Sequence, residues 1–283
     1  MTAATESPHR TEIDLPAGRI RYRDEGQGKP VVFVHGYLVD SRLWDGVVDG
    51  LSDRCRCLAP DWPIGSQPMA MKPDADLSPY GIAATIADFL EALDLEDVTI
   101  VGNDSGGAMS QVLVTRHPER IGRLVLTNCD THENFPPGPF KGFVALAKLP
   151  GMLRAMLAPV RFGGVARAAF KPFARKPIPP ELTRSWVEPW LNDPDVKRDV
   201  KKVTVGMNKR YTLEAAEKLH GSDLPVLLAW APKDRVFPLK FAERLAGEVP
   251  NAKIVEIPDA GTFVPFDQPQ RVADEIAAFV TAG

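Results

Sequence analysis

Residues 98–107, VTIVGNDSGG, decide how the chain is to be read. Val98 to Val101 are apolar or β-branched, as in a strand buried on both faces, and GAMSQVLVTR behind them has helical spacing up to Arg116. Between the two lies a turn with Gly102 two residues before Asp104 and Gly106 two residues after it. Small residues at those places permit a nucleophile elbow, the sharp strand-to-helix turn whose apex side chain stands clear of the backbone. Asp104 is the apex. Were Ser105 the apex instead, Asn103 would fall where the smallest side chain is needed. The plainer alternative is a Gly-rich turn with Asp104 as a helix N-cap.

Outward from this turn, apolar runs ending in Gly, Pro, Asn or Asp recur: PVVFVHG (30–36), CRCLAPD (55–61), RLVLTNC (123–129), LPVLLAWAP (224–232) and AKIVEIPD (252–259). Two shorter, antiparallel-looking runs start near Ile13. Helical patterns fall at 80–93, 106–116, 239–246 and 268–280. Strand and helix alternating in this way predict a mostly parallel sheet covered on both faces. The alternation stops over 131–221, a proline-rich segment with short helical patterns such as VALAKL and YTLEAAEKL. It reads as a helical cap inserted into a core made of 1–130 and 222–283. Residues 131–222 hold sixteen Lys and Arg against eight Asp and Glu in a chain of net charge -3, so a basic lid covers an acidic base. Such a field would draw anionic partners, or simply mark a solvated helical exterior.

With 283 residues, 44% hydrophobic and 25% charged, the chain has an ordinary globular composition, which excludes disorder and small disulfide scaffolds. The charge balance argues against nucleic-acid binding. Cys55, Cys57 and Cys129 imply no disulfide framework, and the opening MTAATESPHR shows no export pattern, so a cytoplasmic protein is expected. No apolar stretch approaches the roughly 20 residues of a membrane span. FVALAKLPGMLRAMLAPVRF (143–162) could lie on a membrane surface, but reads first as cap helix. The expected partner is a small-molecule substrate, with no cofactor, no metal and no stable membrane insertion; a homodimer is left open.

Ligands of an open parallel sheet bind beyond the carboxyl ends of its strands. Collected there are His35-Gly36, PDWPIGSQP (60–68), the elbow, LLAWAPKDRVFP (227–238) and IPDAGTFVPFDQPQRVADEI (257–276). Together they make the chain resemble the α/β-hydrolase fold family over nearly all its length outside the cap. The branch is that of haloalkane dehalogenases, fluoroacetate dehalogenases and epoxide hydrolases, which carry an aspartate in the elbow. The resemblance implies an eight-stranded sheet with Asp104 as nucleophile and Asp234 as triad acid. The N–H groups of Tyr37 and Ser105 would be the oxyanion donors. His35, Trp44, Asn128, His132, Tyr211 and Phe263 are the candidate substrate contacts, with His35 read first as a support for its own turn. His9, His117 and His220 are given no chemistry, and Asp61 is expected to order its loop.

The family pattern places the catalytic histidine where this chain has Thr262. Hydrolysis in this branch needs a base that activates water against an ester, and a threonine hydroxyl has no accessible pKa for that. His132 is one candidate for a relocated base. An engineered replacement that traps the ester would read the same way. Ser105 and Tyr37 stand where the dehalogenases grip halide or carboxylate, and the cap has one tyrosine, Tyr211, where epoxide hydrolases use two. Two readings follow. One is an enzyme acting on a small, largely apolar molecule through Asp104, as nucleophile or as an acid–base carboxylate. In the latter role Asp104 and Asp234 would share a dry pocket and raise each other's pKa, which suits isomerisation or elimination. The other is a catalytically reduced, ligand-binding member.

Overall fold

The apolar runs become strands in the computed structural model, which describes residues 10–281. They are β1 (Arg10–Leu15), β2 (Gly18–Glu25), β3 (Pro30–Val34), β4 (Arg56–Pro60), β5 (Val98–Asp104), β6 (Ile121–Cys129), β7 (Val226–Trp230) and β8 (Ala252–Glu256). The spatial order is β1-β2-β4-β3-β5-β6-β7-β8. β2 runs antiparallel to both its neighbours, and every pairing from β4 to β8 is parallel. This is the eight-stranded, mostly parallel sheet that the resemblance implies. The opening tail, including His9, lies outside the described residues.

Successive side chains of a strand point to opposite faces, so a strand buried on both sides feeds two cores. In β3, Val32 and Val34 enter one core, and Val31 and Phe33 enter the other. The first core also takes the apolar faces of the helices Pro79–Ala92 and Ser105–Arg116; the second takes those of Asp45–Leu51 and Pro269–Thr281. Ser78 caps the helix Pro79–Ala92 by accepting from Gly81 N, and Pro79 suits its first turn. Pro79–Ala92, Ser105–Arg116, Leu239–Glu248 and Pro269–Thr281 match the sequence patterns to within a residue or two at their ends, whereas Asp45–Leu51 is not among those patterns.

Between β6 and β7 the described chain forms no strand. It runs through the helices Lys141–Ala147, Met152–Leu157, Gly163–Phe170, Pro180–Asn192, Pro194–Gly206 and Lys209–Leu219. Their apolar faces turn inward: Trp186 packs edge-on against Phe263 and Phe170, which ties this segment to the turn after β8. The helix Lys209–Leu219 packs instead against Ser105–Arg116, beside the sheet.

The junction of β5 with the next helix is as tight as its glycines require. A Cβ on Gly106 would stand 2.3 Å from the carbonyl oxygens of both Val34 and His35, and one on Gly36 would stand 2.5 Å from Cβ of Asp104. Backbone cannot yield as a flexible side chain can. Gly106→Ala is therefore expected to cost more than about 3 kcal/mol or to abolish folding. Gly142→Ala, whose Cβ would meet nothing within 4 Å, should be neutral or stabilise by about 0.5–1 kcal/mol in its helix. Thermal unfolding of the two variants checks the contrast.

Candidate active site

Asp104 ends β5 and caps the helix Ser105–Arg116, with backbone angles of φ 55° and ψ -133°. A non-glycine residue in that region is strained by about 1–3 kcal/mol, and such strain persists only where surrounding structure enforces it. The glycines around the turn enforce it here. Asp104 Oδ1 accepts from the N–H of Ser105 at 2.5 Å and from the N–H of Tyr37 at 3.2 Å. The two amides read as oxyanion donors thus converge on one oxygen of the aspartate itself, at the positive end of a helix. Asp104 Oδ2 takes part in no hydrogen bond among the described residues. The Tyr37 hydroxyl is bonded to Thr204 Oγ1 at 2.5 Å, linking this corner of the sheet to the helix Pro194–Gly206.

Above Asp104 lies a cavity of about 260 Å³. Its polar lining is Asp104, Ser105, Asp130 and Tyr37; the rest is apolar, including Phe140, Phe143, Met156, Leu157, Phe170, Phe173, Met207, Phe237 and Phe263. Lys, Arg and His are missing from that wall among the described residues. Asp234, after β7, is tied up away from the cavity: Oδ2 accepts from the Thr262 hydroxyl and from Asn128 Nδ2, both at 2.9 Å, and Oδ1 accepts from Val236 N at 2.8 Å. Thr262 is fully buried, and its carbonyl accepts from Asn103 Nδ2 at 2.8 Å, which fastens the last turn to the elbow.

With a nucleophile-elbow geometry on this sheet, the comparison with known families is direct: residues 29–269 match the model of the alpha/beta hydrolase fold. The chain belongs to the α/β-hydrolase fold family. Among curated relatives, the cis-3-alkyl-4-alkyloxetan-2-one decarboxylase of Shewanella oneidensis is 29% identical over 278 residues, 93% of this chain and 85% of that protein. Haloalkane dehalogenase 2 of Mycobacterium tuberculosis is 26% identical over 276 residues, 93% of this chain and 92% of that one. The solved haloalkane dehalogenase DbeA from Bradyrhizobium elkani superposes with a TM-score of 0.83 at 16% identity, covering 97% and 98% of the two chains. That likeness concerns the fold.

Within this α/β-hydrolase, the residues singled out from the sequence separate into two groups. Asp104, Ser105, Tyr37 and Phe263 meet at the cavity, whereas His35, Trp44, Asn128, His132 and Tyr211 do not line it. His35 is fully buried: Nε2 accepts from Trp62 N at 2.9 Å, so the proton sits on Nδ1, which donates to Gly36 O at 3.0 Å. Burial also pushes its pKa down, and the ring supports its turn. Trp44 packs on Phe33 in the core. Asn128 braces Asp234. His132 points away, its Nε2 2.7 Å from Glu248. Tyr211 lies edge-on to Tyr80 on the helix beside the sheet. Asp61 orders its loop as expected, binding Ser41 and Arg21. No group of three or more His, Cys, Asp or Glu is placed to hold a metal ion among the described residues.

The residue that sequence reasoning missed is Asp130. It follows β6, lines the cavity, is fully buried, and neither of its carboxyl oxygens has a hydrogen-bond partner. The pairing of β5 with β6 sets Asp104 opposite Cys129 and so brings the next residue beside Asp104. Asp104 therefore shares its pocket with Asp130, and the partner expected from sequence, Asp234, faces its own hydrogen-bond donors. Burial pushes the Asp130 carboxyl well above its ordinary range, and the charge of Asp104 adds to this while the nearby Ser105 hydroxyl offsets part. Burial raises Asp104 too, the amides of Ser105 and Tyr37 pull it back, and the charge of Asp234 adds to the rise, as the sequence reading expects of that pair. Of the two carboxyls, Asp130 is the one pushed further toward its acid form.

A carboxyl raised on folding makes the native state bind more protons than the unfolded chain, so stability falls as pH climbs from about 4, the ordinary aspartate range, through the raised value. Asp130→Asn removes this penalty. It should stabilise the protein by about 1–3 kcal/mol at pH 7, with the gain shrinking toward pH 4. Denaturant unfolding at both pH values measures it.

Proposed function

We propose that this protein is a lyase-type member of its family, in which Asp104 opens a strained, largely apolar cyclic ester of the oxetan-2-one class and releases an alkene and carbon dioxide. What supports this reading is Asp104 on the wall of a largely apolar cavity, its Oδ2 without a hydrogen bond among the described residues, together with our reading of Thr262, bonded to Asp234, as standing where the family pattern puts its water-activating base. Nucleophilic attack needs the first; hydrolysis of the resulting ester needs what Thr262 lacks. The decarboxylase among the relatives bears a name for chemistry that ends without water.

The steps balance without an external base. Asp104 Oδ2 attacks the ring carbon bearing the ester oxygen, forming a C–O bond as the ring C–O bond breaks. An alkyl ester on Asp104 and a free carboxylate on the substrate result. The electron pair of the C–CO2 bond then forms the double bond, carbon dioxide leaves, and Asp104 departs as carboxylate. The amides of Ser105 and Tyr37 hold Oδ1 throughout, so the same oxygen can attack and leave in one orientation. The apolar wall accommodates the two alkyl arms.

Haloalkanes supply the counter-test, because they have no carboxylate to lose. With a cis-3,4-dialkyl oxetan-2-one the wild-type protein should release alkene over many turnovers. With 1-bromobutane it should release one equivalent of bromide and stop, with a butyl adduct on Asp104 visible by intact-protein mass spectrometry. Asp104→Ala should lose both reactions. An untouched lactone, or continuous bromide release, would overturn the proposal.

A further inference from the structure

We infer that Asp130 is a second catalytic carboxyl, a neutral proton donor that selects substrates whose leaving group is oxygen. It rests on the reading of Asp104 as nucleophile, and it adds what the reading of Asp104 alone leaves open, the fate of charge on the departing atom.

The geometry comes first. Asp130 and Asp104 stand at the ends of adjacent parallel strands, β6 and β5, on the wall of the same cavity. The backbone around Asp130 is satisfied: its N–H donates to Asp104 O at 3.3 Å, and its carbonyl accepts from Gln111 Nε2 at 2.7 Å. The main chain is therefore fixed while both carboxyl oxygens are left without partners. A buried, unpartnered carboxyl is costly, and a structural role offers nothing to offset it. Asp234 shows the contrast, since every contact made to its carboxyl comes from a donor.

The groups facing Asp130 determine its state. Asp104 lies beside it, Cys129 precedes it, Ser105 and Tyr37 share the cavity wall, and among the described residues no cation joins them. A second negative charge there would be repelled by the first and unsolvated, so the acid form is the one that the site holds. As an acid, Asp130 has an O–H to give. A halide leaves as a stable anion and asks for no proton. A ring oxygen leaves as a carboxylate or alkoxide, whose charge a donor in a dry site stabilises strongly.

In the lactone reaction the step closes on itself. As Asp104 attacks, the ring C–O bond breaks and the departing carboxyl oxygen takes the proton of Asp130. When carbon dioxide leaves, that proton returns to Asp130, the double bond forms, and Asp104 regains its charge. No proton enters or leaves the site.

Two probes separate this from a structural role. Asp130→Ala should slow alkene release from a cis-3,4-dialkyl oxetan-2-one by about 10²–10⁴-fold. Labelling of Asp104 by 1-bromobutane should change by less than about threefold, because bromide needs no donor. Asp130→Asn keeps a donor and the shape, so it should fall between. The wild-type lactone rate should also decline as pH rises and Asp130 ionises, a limb that Asp130→Asn lacks. Lactone turnover unchanged in Asp130→Ala, or bromobutane labelling that falls in parallel, would overturn the role of Asp130 while leaving that of Asp104 intact. If neither probe modifies or turns over on the wild-type protein, the nucleophile reading itself fails, and this one with it.

Discussion

Two backbone N–H groups, from Tyr37 and Ser105, grip a single oxygen of Asp104, and the site is arranged around that grip. It holds a strained residue in place at the head of a helix, leaves the other oxygen unbonded, and offsets the cost of burying a charge beneath an apolar ceiling. The sheet supplies the positions. β3 delivers Tyr37 through a turn in which only glycine fits beside the aspartate, and β5 delivers Ser105 directly. Loss of either amide would leave the carboxylate exposed to the full penalty of burial.

The chamber has a largely apolar wall that holds two acids and, among the described residues, no cation. Families that hydrolyse esters place an imidazole between acid and nucleophile, and the relay can carry a proton to water. Here the corresponding acid, Asp234, is saturated by Thr262, Asn128 and Val236, and the hydrogen bonds close on one another. The acid that remains available, Asp130, sits on the other side, at the end of β6. Which strand end presents an unpartnered carboxyl to the cavity sets what the pocket can do without changing the fold.

The elbow was legible because its signal is local: Gly102 and Gly106 flank Asp104 within five residues, and the apolar runs on either side mark strand and helix. The same holds for the sheet, whose strands are short apolar runs closed by turn residues. Asp130 was not legible, because its importance comes from the register of β5 against β6 and from the absence of donors around it, neither of which is written in nearby sequence. Its place directly after RLVLTNC was the available clue, the same one that drew attention to Asn128 and His132. Those neighbours alternate in direction: Asn128 turns to Asp234 and His132 to Glu248. His35 closes on its own turn, as it is first read, and Trp44, a candidate contact by resemblance, packs into the core.

Tyr37 belongs to two structures at once. Its amide holds Asp104, and its hydroxyl is bonded to Thr204 in the helix Pro194–Gly206. One side chain therefore ties the turn that holds Asp104 to the helix Pro194–Gly206, beside the links that Asp199 makes to Gln67 and Met71. A displacement of that helix would be felt, through the Tyr37 ring, at the amide that holds Asp104, so the placing of the helical segment and the posture of the elbow are mechanically coupled.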